Sequence, residues 1–272
     1  MQAASREALR AVTADLDNAT EGQSAEVLLS LADELFAVVD VLDTQPSLRR
    51  ALADSSTDAD ARAGLVTTVF GGKVDERTAG VLGAAVRARW SLPSEFAAGI
   101  ERLAVQAAFG SAEAANALDT VEDELFRFGR IVAGRPELQR ALSDAAASKT
   151  QRSALVDALV GGKVHRVTER LLAARLTGAR ARQAQQTIEE LSDLAALRRE
   201  RSIAQITTAI AITDEQEQRL VDSLSRIYNR RIALQISLDP DILGGLVVRV
   251  GDEIIDGSIR FRLAAARQRL VR

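Results

Sequence analysis

The sequence predicts a mostly α-helical protein in which two tandem, duplicated helical-bundle domains are followed by a small α+β domain. One observation is an internal repeat at an offset of 90 residues. Asp33-Glu34-Leu35-Phe36 recurs as Asp123-Glu124-Leu125-Phe126, and Gly71-Gly72-Lys73-Val74 recurs as Gly161-Gly162-Lys163-Val164. The other observation is a change from helical to alternating apolar spacing near residue 203. A fixed period indicates a duplicated structural unit.

The repeat sets the predicted domain boundaries. Copy one is expected over residues 1–108, copy two with a connector helix over residues 109–200, and the α+β domain over residues 201–272. Because no insertion separates the copies, residue n should superpose on residue n+90. Leu35 and Leu125 should therefore be equally buried core positions.

Each copy contains an amphipathic helix near its start. Its apolar positions are spaced by three and four residues, which places them on one helical face. In copy one these positions are Leu28, Leu31, Leu35, Val38 and Leu42, and in copy two they are Leu118, Val121, Leu125, Phe128 and Val132. Pro46 and Pro136 should stop this helix in the two copies.

The Gly-Gly pairs follow further helical runs, Leu65–Phe70 and Leu155–Val160. Glycine at such a place can take the left-handed C-cap conformation. The Gly-Gly-Lys triplets also resemble the end of a phosphate-binding loop. That interpretation fails, because Thr67 and Asp157 stand where the loop needs glycine, and valine follows the lysine.

The charged stretch 186–201 carries Leu191, Leu194 and Leu197 at helical spacing. It predicts a long, exposed connector helix, and an ordinary amphipathic helix is compatible with the same pattern. After it, the alternation predicts strand, helix, strand, strand and a last short strand before a final helix. The evidence for these elements is Ile206 to Ile212, the capping box Thr213–Gln216 with the helix to Tyr228, Ile232 to Leu238, Leu246 to Val250, Ile254-Ile255, and the run after Ser258. The apolar face of the first helix is expected to hold Leu220, Val221, Leu224, Ile227 and Tyr228, and that of the final helix Ile259, Leu263, Ala266 and Leu270.

Composition excludes several function classes. The net charge of −3 gives no general attraction to nucleic acid. The absence of cysteine and the single histidine, His165, leave no disulfide framework, thiolate site or multi-histidine metal site. No nucleophile–base pair is visible, so we expect no cofactor and no enzymatic activity. His165, beside a predicted helix end, is more often a surface residue than a functional one.

No stretch approaches the roughly 20 apolar residues of a membrane span, and no signal peptide is expected. The last sixteen residues hold five arginines and no acid. These arginines, including Arg262, Arg267 and Arg269, either complement the dipole of their own helix or form a contact for an acidic partner helix. The sequence favours the two interpretations about equally.

A family resemblance rests on the run from Asp239 to Ser258. It reads Asp-Pro-Asp-Ile-Leu-Gly-Gly, then an apolar strand, Gly-Asp-Glu-Ile-Ile and Asp-Gly-Ser. This run resembles the signature of the delta subunit of F-type ATP synthases, the bacterial counterpart of mitochondrial OSCP. The matching positions are Asp239, Pro240, Gly244, Gly245, Gly251, Asp252, Asp256, Gly257 and Ser258.

Residues from about 110 to 272 resemble a whole ordinary delta subunit, and copy one is additional. The chain is therefore most similar to the elongated actinobacterial type, some of which are fused to a stalk subunit. The resemblance leaves open whether this chain stands alone or comes from such a fusion, and which copy contacts the alpha subunit.

The resemblance implies a stator subunit at the cytoplasmic face of the cell membrane that resists rotor torque during proton-driven ATP synthesis. The partners it implies are N-terminal segments of the alpha subunits, nearby beta subunits and the b subunits of the peripheral stalk, without nucleic acid or direct membrane insertion. The rival hypothesis is a free-standing helical adaptor or regulatory protein unrelated to the synthase.

Overall fold

A computed structural model describes most of the chain. It covers residues 1–144, 146–178, 183–201, 203–228, 232–239, 242, 244–250 and 253–259. The chain divides into two compact units, Met1–Ala195 and Ala196–Arg272.

The first unit is helical, and its elements follow the 90-residue repeat. Its helices in copy one are α1 (Ala3–Ala19), α2 (Ala25–Thr44), α3 (Pro46–Ala53), α4 (Ala59–Phe70), α5 (Glu76–Arg87) and α6 (Pro93–Ala114). Those of copy two are α7 (Leu118–Ala133), α8 (Pro136–Leu142), α9 (Lys149–Val160), α10 (Arg166–Thr177) and α11 (Ala184–Arg201). The bounds of α9 and α10 equal those of α4 and α5 with 90 added, so the offset persists in the fold.

Helix α6 belongs to both copies. It packs along α2 as the last helix of copy one, and it also contacts α7 and α10 of copy two. The contact between α6 and α10 repeats the contact between α1 and α5. Because this helix is shared, one hydrophobic core continues from Ala8 to Ala195. The predicted boundary at residue 108 falls inside α6. The division into three domains therefore remains a prediction from the sequence repeat.

The predicted core faces of α2 and α7 are confirmed, because all ten of their apolar residues are buried. Leu35 and Leu125 are both 0% exposed, as the duplication predicts. Pro46 and Pro136 each stand in the first turn of the following helix, where the fixed φ of proline is favourable and no N–H is needed.

The connector prediction needs a correction. Helix α11 is continuous, but Ile188, Leu191 and Leu194 are buried in the core of the first unit. Only the later Leu197 is markedly exposed, at 45%. The helix is therefore a core element of copy two over most of its length, because its apolar residues have a bundle to pack against.

The second unit contains a four-stranded sheet with the order β2-β1-β3-β4. The strands are β1 (Ile203–Thr208), β2 (Ala233–Leu238), β3 (Leu246–Val250) and β4 (Glu253–Asp256), and α12 (Asp214–Tyr228) connects β1 to β2. β1 pairs parallel with β2 and antiparallel with β3, and β3 pairs antiparallel with β4. The four predicted strands and their order in the chain are confirmed.

Two details of this unit differ from the prediction. β1 ends at Thr208 instead of continuing to Ile212, since Thr208 is the last residue with partners on β2 and β3. Ile227, predicted on the apolar face of α12, is 66% exposed, whereas Leu224 is buried against the sheet. The capping box is confirmed: the Thr213 N–H donates to Gln216 Oε1, and the Gln216 N–H donates to Thr213 Oγ1.

Candidate functional site

The signature run of the second unit forms a closed turn. The Gly257 N–H donates to the Leu246 carbonyl at 3.0 Å, and the Ile259 N–H donates to the Gly244 carbonyl at 3.0 Å. The Ser258 N–H donates to Asp256 Oδ1 at 2.9 Å. The double glycine before β3 is thereby fastened to the segment that begins with the last residue of β4, Asp256.

The glycines are required by this contact. Gly244 and Gly245 have φ of 76° and 83°, in the left-handed region that favours glycine. A Cβ on Gly245 would lie 2.5 Å from the Gly257 carbonyl oxygen and 2.9 Å from Ser258 Cα. The Gly244-Gly245 pair and the Gly257-Ser258 pair, which are separate in the sequence, therefore pack against each other, and Ser258 is buried.

Asp239 joins this cluster to the end of the sheet. Its N–H donates to the Thr208 carbonyl at 2.9 Å, and its carbonyl accepts from the Ile242 N–H at 3.2 Å. The other signature positions, Pro240, Gly251 and Asp252, lie outside the described residues. Arg262, Arg267 and Arg269 also lie outside them, so their partner-binding role remains a prediction.

The Gly-Gly-Lys segments of the first unit are helix ends, as predicted. Gly72 and Gly162 have φ of 70° and 66°. The Lys73 ammonium donates to the Val69 carbonyl at 2.8 Å, and the Lys163 ammonium donates to the Leu159 carbonyl at 3.3 Å. Both lysines satisfy the last carbonyls of their helices, a role that needs no phosphate ligand.

Sequence reasoning missed a carboxylate that fastens two helices in each copy. Glu34 accepts from the Asp75 N–H at 3.0 Å and from the Thr78 hydroxyl at 2.5 Å. Glu124 accepts from the His165 N–H and the Thr168 hydroxyl at the positions 90 residues on. Glutamate and threonine both recur at the 90-residue offset, and this recurrence could have indicated the contact.

His165 has a structural role in this arrangement. Its Nδ1 accepts from the Val167 N–H at 3.2 Å, which caps the start of α10. Asp75 caps α5 in the same way, by accepting from the Arg77 N–H at 2.9 Å. The sequence favoured a surface residue, whereas in the structure His165 is half-buried and caps α10.

Charged pairs join the two copies where α9 and α10 meet α2. The Lys149 ammonium lies 2.5 Å from Asp40 Oδ2, and Arg170 Nε lies 3.6 Å from Asp33 Oδ2. Partial burial raises the pKa of Asp33 above its usual range, although Arg170 and Arg166 act in the opposite direction. The acidic outer face of α2 is therefore matched by basic residues of copy two.

A second ionic cluster lies where α6, α10 and α11 meet within the first unit. Arg175 contacts Glu101 and Glu190, and Arg102 contacts Glu190 at 2.8 Å. Burial lowers the pKa of Arg102, and Glu190 opposes that shift. The alternating charges hold the shared helix α6 to the closing helices of copy two.

No helix in the described part of the chain has both the length and the apolar character of a membrane span.

The chain matches the family model of the ATP synthase delta (OSCP) subunit over residues 100–270. This region begins within α6 and covers copy two and the second unit, so most of copy one precedes it.

Curated relatives align along almost the entire chain. It is 45% identical to the ATP synthase subunit delta of Streptomyces avermitilis, covering 98% of this chain and 97% of that protein. It is 42% identical to the subunit of Parafrankia sp., with 100% of both chains covered. It is 45% identical to the subunit of Nocardia farcinica, covering 98% of this chain and 96% of the relative. These relatives therefore have a segment that aligns with copy one.

Proposed function

The chain belongs to the ATP synthase delta (OSCP) subunit family, and we propose that this peripheral-stalk subunit connects the catalytic head to the b-subunit stalk. The single observation that carries the proposal is the alignment with delta subunits over nearly the whole chain. In this role the chain holds its partners against the torque of the rotor and catalyses no reaction itself. It acts at the cytoplasmic face of the membrane.

The two units suit a division of binding partners. The first unit offers packed helices, and N-terminal segments of alpha subunits can bind such surfaces as amphipathic helices, close to the beta subunits. The second unit holds the b subunits.

Reconstitution tests this function directly. Membranes carrying ATP synthase are depleted of this chain, and proton-driven ATP synthesis is measured before and after the purified chain is added back. We expect synthesis to return on addition, while the isolated chain shows no ATP hydrolysis. Unchanged synthesis in depleted membranes, or robust hydrolysis by the chain alone, would contradict the proposal.

Co-purification separates this function from the rival adaptor hypothesis, which the family membership does not favour. A tagged chain should recover alpha, beta and b subunits together. Recovery of none of these subunits would contradict the proposed function and favour the adaptor hypothesis.

The arginine-rich end is our proposed contact with the b subunits. The sequence predicts a final helix whose apolar stripe faces its own domain, which would leave Arg262, Arg267 and Arg269 at least partly outward. Each exposed ion pair contributes only about 0–1 kcal/mol, so several arginines must act together. We expect a triple change of these arginines to Gln to preserve the fold and to weaken b-subunit binding, most strongly at low ionic strength.

Titration of b subunits against both proteins at two salt concentrations tests the arginine contact. Equal affinities at low salt would leave these arginines with the role of complementing their own helix dipole.

A further inference from the structure

The same four residues have different surroundings in the two copies. The sequence Asp-Glu-Leu-Phe occupies residues 33–36 of α2 and residues 123–126 of α7. Leu35 and Leu125 are equally buried, but Phe36 is partly buried, whereas Phe126 is 55% exposed. The difference lies on the outer faces of the helices. We call Asp33, Phe36, Asp40 and Asp43 the α2 stripe, and Asp123, Phe126, Arg130 and Ala133 the α7 stripe.

Helices α9 and α10 of the same chain cover the α2 stripe. Arg170 of α10 pairs with Asp33, and Lys149 at the start of α9 pairs with Asp40. A small cavity between the copies is lined by Phe36 and Asp43 from α2 and by Ala174, Thr177 and Gly178 from the end of α10. Small side chains therefore lie near the aromatic ring, and basic side chains flank it.

All four residues of the α7 stripe are exposed. They occupy the positions 90 residues after the α2 stripe on a helix that is equivalent in the fold. Large apolar side chains are ordinarily withdrawn from water where a partner is present, and aromatic residues are enriched at the centres of interfaces. Phe126 stands between Asp123, which pairs with Arg127 of the same helix at 2.9 Å, and the base Arg130. The stripe therefore has an apolar centre and a base at one end.

We propose that the α7 stripe binds an amphipathic helix from another subunit of the ATP synthase, in the way that the α2 stripe binds α10. The inference rests on the proposed function for the identity of the complex. The occupant has small side chains over Phe126, as α10 has near Phe36. It has an acidic residue beside Arg130, because Arg130 replaces Asp40 and reverses the charge at that position.

A second copy of this chain does not fit the stripe. If its α9 and α10 docked there, Lys149 would meet Arg130, two charges of the same sign. If its copy one docked instead, α5 would present Glu76 and Gly80 at the positions of Arg166 and Arg170, so an acid would approach Asp123. Like charges brought together oppose association, which favours a different subunit as the occupant.

Site-specific photo-crosslinking in the assembled synthase identifies the occupant. A photoreactive phenylalanine analogue replaces Phe126 in one full-length variant and Ile131 in a matched control. Ile131 lies five residues further along α7, about 140° around the helix, and is 46% exposed. We expect a product with another synthase subunit from position 126 and much less from position 131. A product only with a second copy of this chain, or none from position 126, would overturn the proposal.

Binding measurements test the chemistry of the stripe. The probe is the purified synthase depleted of this chain, and the variants are Phe126→Ser, Arg130→Glu and the control Ile131→Ser. We expect the first two to bind roughly tenfold or more weakly, as for a buried aromatic anchor and its charged neighbour, and the control to bind like the wild type. Melting temperatures close to that of the wild type should show that all three remain folded.

The outcomes separate this proposal from the proposed function. Wild-type chain that fails to bind the depleted synthase would contradict the function itself. Wild-type chain that binds, together with Phe126→Ser and Arg130→Glu variants that bind equally well, would contradict only the α7 stripe as a docking surface.

Discussion

The two helical copies agree in their interior and differ at one outer face. Each copy fastens its helices with a glutamate, ends a helix with Gly-Gly-Lys, and buries the same leucine. The outer face of the helix that carries this leucine is covered in copy one and exposed in copy two. The packing chemistry is therefore the same in both copies, whereas the outer faces of α2 and α7 differ in what covers them.

The largest expected effect tests the equivalence of the two cores. Leu35→Ala and Leu125→Ala each remove a side chain that is 0% exposed. Each should lower the free energy of unfolding of the first unit by about 2–5 kcal/mol, because a cavity remains at a fully buried site. Urea denaturation followed by circular dichroism measures both changes. A cost at only one of the two leucines would break the equivalence of the copies.

A pair of glycines extends the comparison to the second unit. Gly72 and Gly245 both have positive φ, but no atom lies within 4 Å of a Cβ built on Gly72, whereas one on Gly245 would meet the Gly257 carbonyl. Gly245→Val should destabilise the second unit by about 1–3 kcal/mol, the range for strained backbone positions. Gly72→Ala serves as the control for positive φ without a collision. Thermal melts compare the two, and an unchanged transition for Gly245→Val would show that the turn can rearrange.

The glutamate contacts allow a finer comparison of the copies. Thr78 and Thr168 are 0% exposed, and each donates its hydroxyl to a glutamate carboxylate. Thr78→Val and Thr168→Val keep the shape and remove this donor, so each should cost about 1.5 kcal/mol, near the lower range for hydrogen bonds to charged groups. Denaturation curves for the two variants should agree. A clearly smaller cost for Thr168→Val would show that His165 changes the contact in copy two.

The sequence predicted those features that depend on local spacing. Apolar residues at three- and four-residue intervals identified the core face of α2 and α7, and the glycine pairs identified the helix ends. The capping box at Thr213 identified the start of α12. These features are determined by residues within a few positions of one another, so a single sequence is sufficient for them.

Features that depend on distant partners were not predictable in this way. Phe36 and Phe126 stand in identical tetrapeptides, so local sequence could not show which one copy two covers. The shared role of α6 was missed because α1, α6 and α11 have little sequence in common. β1 ends at Thr208, the last residue that pairs with β2 and β3, although the alternating apolar pattern continues to Ile212. The contact between Gly245 and Gly257 was likewise visible only in the fold.

The smallest expected effect concerns the acidic residue at the junction of the copies. Burial raises the pKa of Asp33, so the folded state binds its proton more tightly than the unfolded state does. The resulting stabilisation is complete below the ordinary pKa of aspartate, about 3.9, and is lost as the pH rises through the raised pKa. Asp33→Asn cannot ionise and therefore avoids this loss. At pH 7 its melting temperature should exceed that of the wild type slightly, by less than about 2 °C.

The advantage of Asp33→Asn should shrink as the pH falls toward 3, where the wild-type carboxyl is protonated in both states. Asp123→Asn is the matched control, because Asp123 is half exposed and pairs with Arg127 on the surface of α7. Its melting temperature should follow that of the wild type across the same pH range. Melting curves for the three proteins at pH 3, 5 and 7 measure the effect. If Asp33→Asn is instead less stable at pH 7, the pairing with Arg170 outweighs the burial of the carboxylate, and the charged junction stabilises the contact between the copies.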